Sequence, residues 1–164
     1  MRRQQGFTMV EMLAVLAVIT ILALMAVPSY LDKVVKAQIE AALPLADIAK
    51  RPIAAIWSAT QEMPADNEAA GLPVAEKIVN NYVSAVTVTD GVIDVTFGNR
   101  ASKAIAGKVL SLRPAVVEDA PVVPVAWVCG NAEAPEKMTV MGQNRTDVDP
   151  LYLPIECRAL RKAG

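Results

Sequence analysis

The hydrophobic rhythm of this chain changes as it is read. From Phe7 to Val27 almost every position is apolar. That is a run of about 20 residues, roughly 30 Å as a helix, enough to cross a hydrocarbon core. From Tyr30 to Gln61 the pattern becomes amphipathic. Leu31, Val34, Val35, Ile39, Ala42, Leu43, Leu45, Ala46, Ile48 and Ala49 recur at helical spacing, with Asp32, Lys33, Lys36, Gln38, Glu40, Asp47, Lys50 and Arg51 between them. This predicts one long helix that leaves the membrane and lays an apolar stripe on a globular domain, with Ile53, Ile56 and Trp57 closing the buried face. Pro28, Pro44 and Pro52 each remove a backbone donor and crowd the preceding turn, so kinks are expected there. Pro44 and Pro52 could instead end helices; the reading taken is a continuous, bent helix.

Past Gln61 the segment Glu62–Pro73 carries Pro, Asp-Asn and Gly punctuation and reads as a loop. Glu76 to Val79 fits a short helical turn. The period then shifts to two. Tyr82–Thr89 is rich in β-branched residues, and Asp90-Gly91 follows, a pair suited to the two positive-φ positions of a tight hairpin. Val92–Phe97 returns with Ile93, Val95 and Phe97 on one face and Asp94 and Thr96 on the other. Lys108–Arg113 predicts a third strand stopped by Pro114. Val122–Cys129 predicts a fourth, which Pro124 confines to an edge or to a start beyond it. Two short apolar pieces, Met138–Met141 and Leu151–Leu153, are expected to pack back.

The class is therefore α+β: a long N-terminal helix covering a four-stranded antiparallel sheet. Its expected organisation is a leader over 1–6, an apolar helix over 7–29 and a globular domain over 30–164. Within that domain lie a loop at 62–81, the sheet at 82–129 and a C-terminal region at 129–157.

Composition narrows the chemistry. Histidine is absent, which removes the commonest general base and metal ligand. The net charge of −1 gives no global basic field for nucleic acid. Gly91, Gly98 and Gly107 stand singly and mark turns, so there is no phosphate-binding loop. Asp147 and Asp149 are a near pair of the sort loops often carry. Asn144-Arg145-Thr146 fits the glycosylation triplet of eukaryotic secretion. The expectation is no enzyme, no cofactor and no metal. Cys129 and Cys157, an even pair beyond a membrane span, suggest a disulfide formed in an oxidising compartment. They are too few for a structural zinc site. Closing a loop of about 29 residues would contribute about 3.5 kcal/mol by the chain-entropy estimate.

The start of the chain is the most specific stretch. Arg2, Arg3 and two glutamines form a short polar leader ending at Gly6, and the apolar run begins at Phe7. One full charge interrupts that run, Glu11. A carboxylate inside a membrane span is expensive, and it points to function and to a partner. A secretory signal would have a shorter apolar core and a small-residue cleavage site after it. A plain anchor would explain the length and the positive flank, but neither Glu11 nor the glycine–phenylalanine junction.

Gly6-Phe7-Thr8-Met9-Val10-Glu11 resembles the leader junction of type IV prepilins, with Met9 and Val10 where Leu and Ile are commoner. The loop pieces Pro64–Asn67 and Ala70–Pro73 resemble the helix-to-sheet loop of type IVa major pilins. Trp127–Gly130 and Tyr152–Arg158 are similar to the two ends of that subfamily's disulfide-bonded region. The resemblance implies cleavage after Gly6 by a prepilin peptidase, which also N-methylates Phe7. It implies a Cys129–Cys157 bridge, a locally extended segment near Pro28 in the filament, and a Glu11 that meets the N-terminus of a neighbouring subunit. The implied partners are identical subunits, the inner membrane before assembly, and the inner-membrane assembly machinery. The implied location is the inner membrane, then an extracellular pilus on the bacterial cell surface, for adhesion and twitching motility. A minor pilin or a DNA-uptake pilin is the alternative. Arg100, Lys103 and Lys108, or Arg145 with the basic positions Arg158, Arg161 and Lys162, are then the candidate DNA-binding cations.

Overall fold

The computed structural model describes residues 6–159, and of positions 26–29 the backbone alone. The first helix, α1, runs Met9–Thr60. Neither Pro28, Pro44 nor Pro52 ends it. The chain divides into two compact units between Val34 and Val35, and α1 contributes to both.

In the second unit α1 buries Val35, Ile39, Ala42, Ala46, Ala49, Ile53 and Trp57. Steps of three and four residues keep them on one stripe. Leu31 and Ile48, expected on that stripe, are exposed instead; Ile48 falls well to the side of the face set by Val35 and Ile39, and Leu31 precedes the second unit. The helix stops at Gln61, which takes a positive φ of 58°. Its N–H donates to the Trp57 carbonyl at 2.8 Å and satisfies one of the last free acceptors.

A loop with a 3-10 turn at Ala75–Lys77 leads into the sheet. Its strands are β1 (Val83–Thr89), β2 (Val92–Phe97), β3 (Val109–Val116), β4 (Ala126–Cys129) and β5 (Thr139–Val140). All pairs are antiparallel, in the order β1-β2-β3-β4, and β5 adds to β3 beyond the end of β2. The expected meander is present, and a fifth, two-residue strand comes from the Met138–Met141 piece. The Asp90-Gly91 turn has positive φ at both positions, 48° and 78°, the backbone that a two-residue hairpin requires.

β1 would misplace one of its valines without a defect. Its register slips between Val83 and Ala85, a bulge at Ser84 that brings Val83 onto the same buried face as Val86 and Val88. Gly98 makes room for it: a Cβ there would lie 2.6 Å from Ser84 Cβ. The free edge of β1 is closed by Asn67. Its amide donates to the Val86 carbonyl at 3.0 Å and its oxygen accepts from Val88 N–H at 2.7 Å, so the loop blocks further strand addition.

Two sequence expectations need correction. β3 is not stopped by Pro114 but passes through it to Val116. On its outer side β2 pairs as far as Leu112 and β5 takes over at Ala115, so the missing N–H falls at the handover. The Pro114 carbonyl still accepts from Met141 N–H at 2.8 Å. β4, by contrast, is as Pro124 leads one to expect: it starts at Ala126, after that proline, and is an edge. The face of β2 opposite Ile93, Val95 and Phe97 is not a solvated one, because Asp94 is only 4 % exposed. The segment Asn144–Asp147 crosses over it.

That crossing is polar and closely fitted. Ser111, fully buried on β3, donates to Asp94 Oδ1 at 2.6 Å and accepts the Arg145 backbone N–H at 2.9 Å. The Arg145 guanidinium reaches Asp94 Oδ2 at 3.0 Å. Where β4 has ended, Thr146 Oγ1 and Asp147 Oδ1 accept the N–H groups of Ser111 and Val109. Val148 and Leu153 then enter the core, while Leu151 stays exposed. Cys129 and Cys157 are joined by a disulfide, with Cα atoms 4.5 Å apart.

Candidate functional site

The first unit holds the chemistry that the rest of the chain does not explain. Gly6, Phe7 and Thr8 are non-helical, and α1 begins at Met9. A helix start leaves N–H groups without partners, a heavy penalty where water is scarce. Thr8 and Glu11 answer this reciprocally. Thr8 Oγ1 accepts the Glu11 N–H at 3.3 Å, and Glu11 Oε2 accepts both the Thr8 N–H and the Thr8 hydroxyl at 2.8 Å. This is a capping box with the order Thr-x-x-Glu, a local signal present in the sequence that reading Glu11 only as a charge misses. The carboxylate also sits in the first turn, where the helix dipole favours negative charge. Only one of its oxygens is engaged among the described residues. Oε1 retains its acceptor capacity for an arriving cation.

Gly6 carries a different message. A Cβ built there would meet nothing within 4 Å, and its backbone is not one that excludes side chains. Nothing in the described fold requires glycine at this position.

From Phe7 to Met25 large apolar side chains stand exposed, with Phe7 at 80 % and Met9 at 85 %. The most apolar 18-residue window of α1 has a mean hydropathy of 2.7 and none of it is buried. An uncovered surface of this size needs lipid or protein around it. Small residues are interleaved: Ala14, with Val15, Val18 and Ile19, lines a shallow apolar depression that suits close approach of another helix. The backbone stays helical through Pro28. Thr20 Oγ1 donates back to the Leu16 carbonyl at 2.8 Å, a bond that competes with the helix's own.

The other residues singled out by sequence take structural places. Trp57 is core, at 6 % exposure. Asp149 caps Leu151 N–H at 2.8 Å, apart from Asp147, which binds Val109 N–H. Among the candidate DNA-binding cations, Arg145 is paired with Asp94 and Lys108 with Asp147 at 3.4 Å. Arg158 donates to the Leu153 and Leu151 carbonyls. Arg161 and Lys162, like Arg2 and Arg3, lie outside the described residues. The Asn144 amide donates to Asn131 Oδ1 at 2.8 Å.

Together these features define an anchored filament-type subunit: a bare apolar helix with a capped carboxylate in its first turn, joined to a helix-covered antiparallel sheet closed by a disulfide. The family described as Pilin (bacterial filament) matches residues 35–158, and the prokaryotic N-terminal methylation motif matches residues 1–27. The chain belongs to the pilin family. It is 34 % identical over 161 residues to the type IV major pilin protein PilE of Neisseria gonorrhoeae, covering 94 % of each chain. It is 33 % identical over 170 residues to a fimbrial protein of Neisseria meningitidis serogroup A, covering 98 % of each. The fimbrial protein EcpC of Eikenella corrodens is 33 % identical over 158 residues, with 94 % of this chain and 91 % of that one covered.

Proposed function

We propose that this chain is the major structural subunit of a type IV pilus, a surface filament serving adhesion and twitching motility. The observation that carries the reading is the bare apolar surface from Phe7 to Met25, with Glu11 in its first turn. Before assembly the helix sits in the inner membrane. A prepilin peptidase cuts after Gly6 and methylates the new N-terminus at Phe7. Assembly moves the helix from lipid into a bundle of identical helices. Both surroundings are apolar, so transfer gains little from hydrophobicity. Close packing at Ala14, Ala17, Ala23 and Ala26, the last outside the described side chains, and the pairing of charges must favour the bundle.

Cleavage places an α-ammonium on Phe7, close to a carboxylate that still has Oε1 to offer. Each charge is costly alone in an apolar layer and much less so paired. A neighbour's Phe7 ammonium at Glu11 would allow only one axial stagger. Extension is driven by another protein, by family resemblance a cytoplasmic ATPase. Shearing cells and identifying the dominant filament protein tests the reading. This chain should dominate that fraction, and its absence or trace presence there would point to a minor subunit.

A further inference from the structure

The end of the second unit at which α1 enters carries charge of one sign. Gln38, just inside that unit, accepts the Ser102 N–H at 2.8 Å, which ties the loop between β2 and β3 to this end. The loop is closely held. Ile105 is fully buried, the Arg100 N–H donates to the Asn81 carbonyl and the Gly107 N–H to the Phe97 carbonyl, both at 2.9 Å. The Gly98 N–H donates to the Tyr82 carbonyl at 2.9 Å, so the approach to β1 runs alongside. The segments Ile78–Val83 and Phe97–Lys108 hold Arg100, Lys103 and Lys108 and no acidic residue. Lys108 is paired with Asp147. Arg100 and Lys103 are exposed and have no ion-pair partner among the described residues. On α1, Asp32 and Glu40 offset Lys33 and Lys36, so the loop sets the sign.

Such a surface takes an anionic partner, and the course of the chain selects which. Val27, the end of the apolar run, stands eleven residues before Gln38, a rise of about 16 Å in a helix. The headgroup layer of a bilayer takes up about 6 Å of that, and the remainder is of the order of the Debye length, about 10 Å. Tyr82, half-buried beside the loop, is of a residue type enriched at membrane interfaces. We propose that Arg100 and Lys103 hold this loop on the anionic phospholipid headgroups of the membrane that α1 spans, a contact that assembly must strip before the subunit leaves. Guanidinium and ammonium groups are the usual partners of phosphate. Each basic residue near an anionic leaflet favours contact about fivefold, so the two together favour it about 25-fold. The inference rests on the reading that α1 sits in a membrane before assembly.

The test uses the full-length chain reconstituted in vesicles of phosphatidylcholine, or of phosphatidylcholine and phosphatidylglycerol mixed two to one. A dye is placed on Ala104→Cys, an exposed position of the loop, and energy transfer to a headgroup-labelled lipid reads the approach of the loop. The native cysteines are joined to each other, so the dye goes to the new thiol. The anionic vesicles should give high transfer. Arg100→Gln/Lys103→Gln should lower the ratio of docked to undocked loops about 25-fold, raised salt should do the same, and Arg100→Lys/Lys103→Arg should keep the contact. Both side chains are exposed, so these variants leave the described core intact. Equal transfer in the two vesicles, or in the wild type and the Gln variant, would overturn the proposal. Loss of transfer on adding a short DNA duplex, with the duplex bound by the wild type and not by the Gln variant, would overturn it in favour of nucleic acid. Flotation separates the two readings. A chain that floats with both vesicles but shows no charge-dependent transfer contradicts the docking alone, and a chain that floats with neither contradicts the membrane reading and the docking with it.

Discussion

Ser111→Ala is the substitution by which the outer face of the sheet can be weighed. Ser111 has no exposed surface, and its hydroxyl has a partner on each side. It donates to the Asp94 carboxylate at 2.6 Å and accepts the Arg145 amide at 2.9 Å. Losing a hydrogen bond to a charged group costs about 1.5–3 kcal/mol, and stranding a buried amide about 1–3 kcal/mol. The two overlap, because Asp94 keeps the guanidinium of Arg145 at 3.0 Å and the released segment can rehydrate. A net loss of about 2–4 kcal/mol is expected. Ser84→Ala is the control: that hydroxyl makes one longer bond, 3.3 Å to the Thr96 carbonyl, at a half-buried site, so about 1 kcal/mol or less is expected. Denaturant unfolding of the full-length chain in micelles reads the difference. Limited proteolysis should show faster cutting in Asn144–Asp147 for Ser111→Ala alone. If Ser111→Ala falls within about 0.5 kcal/mol of the wild type, with no new cleavage, the polar crossing does not hold the C-terminal segment on the sheet.

Further outcomes follow from the same structure. The Trp57 indole N–H is buried with no hydrogen-bond partner among the described residues, so Trp57→Phe should cost well under the roughly 3–5 kcal/mol expected for Trp57→Ala; equal losses in unfolding experiments would contradict this. Reducing Cys129–Cys157 should lower stability by about 3.5 kcal/mol, and thiol labelling of unreduced, denatured protein should find neither cysteine free. Glu11→Gln should insert in the membrane and be cleaved normally yet give few or no filaments; filaments at wild-type number and length would remove the pairing model. Pro28 lacks a backbone donor and Thr20 bonds back to the Leu16 carbonyl, so a filament reconstruction should show non-helical backbone between Thr20 and Pro28, and an unbroken helix there would refute it.

Local signals in the sequence were legible because they act locally. The apolar run at Phe7, the stripe from Val35 to Trp57 and the Asp90-Gly91 hairpin each carry their geometry in a few adjacent residues. What escaped depends on partners far along the chain. Asp94 reads as a solvent-facing strand residue until Arg145, 51 positions later, is seen to cover it. The bulge at Ser84 exists only relative to Thr96 and the space left by Gly98. Pro114 reads as a stop because the sequence cannot reveal that β2 and β5 hand over at that position. The Thr8–Glu11 capping box is the exception: its Thr-x-x-Glu order is local and readable. At the leader, the geometry adds what the sequence could not, that the described fold has no use of its own for glycine at position 6.

The central claim is that this chain is processed at that glycine and delivered to a surface filament through its bare N-terminal helix. Intact-mass and N-terminal fragment spectra of protein sheared from the cell surface test it most directly. The account predicts a chain beginning at Phe7 and carrying one added methyl group on its α-nitrogen. A surface protein that still begins at Met1, or one cut after Ala23 or Ala26 with the apolar helix removed, would contradict it.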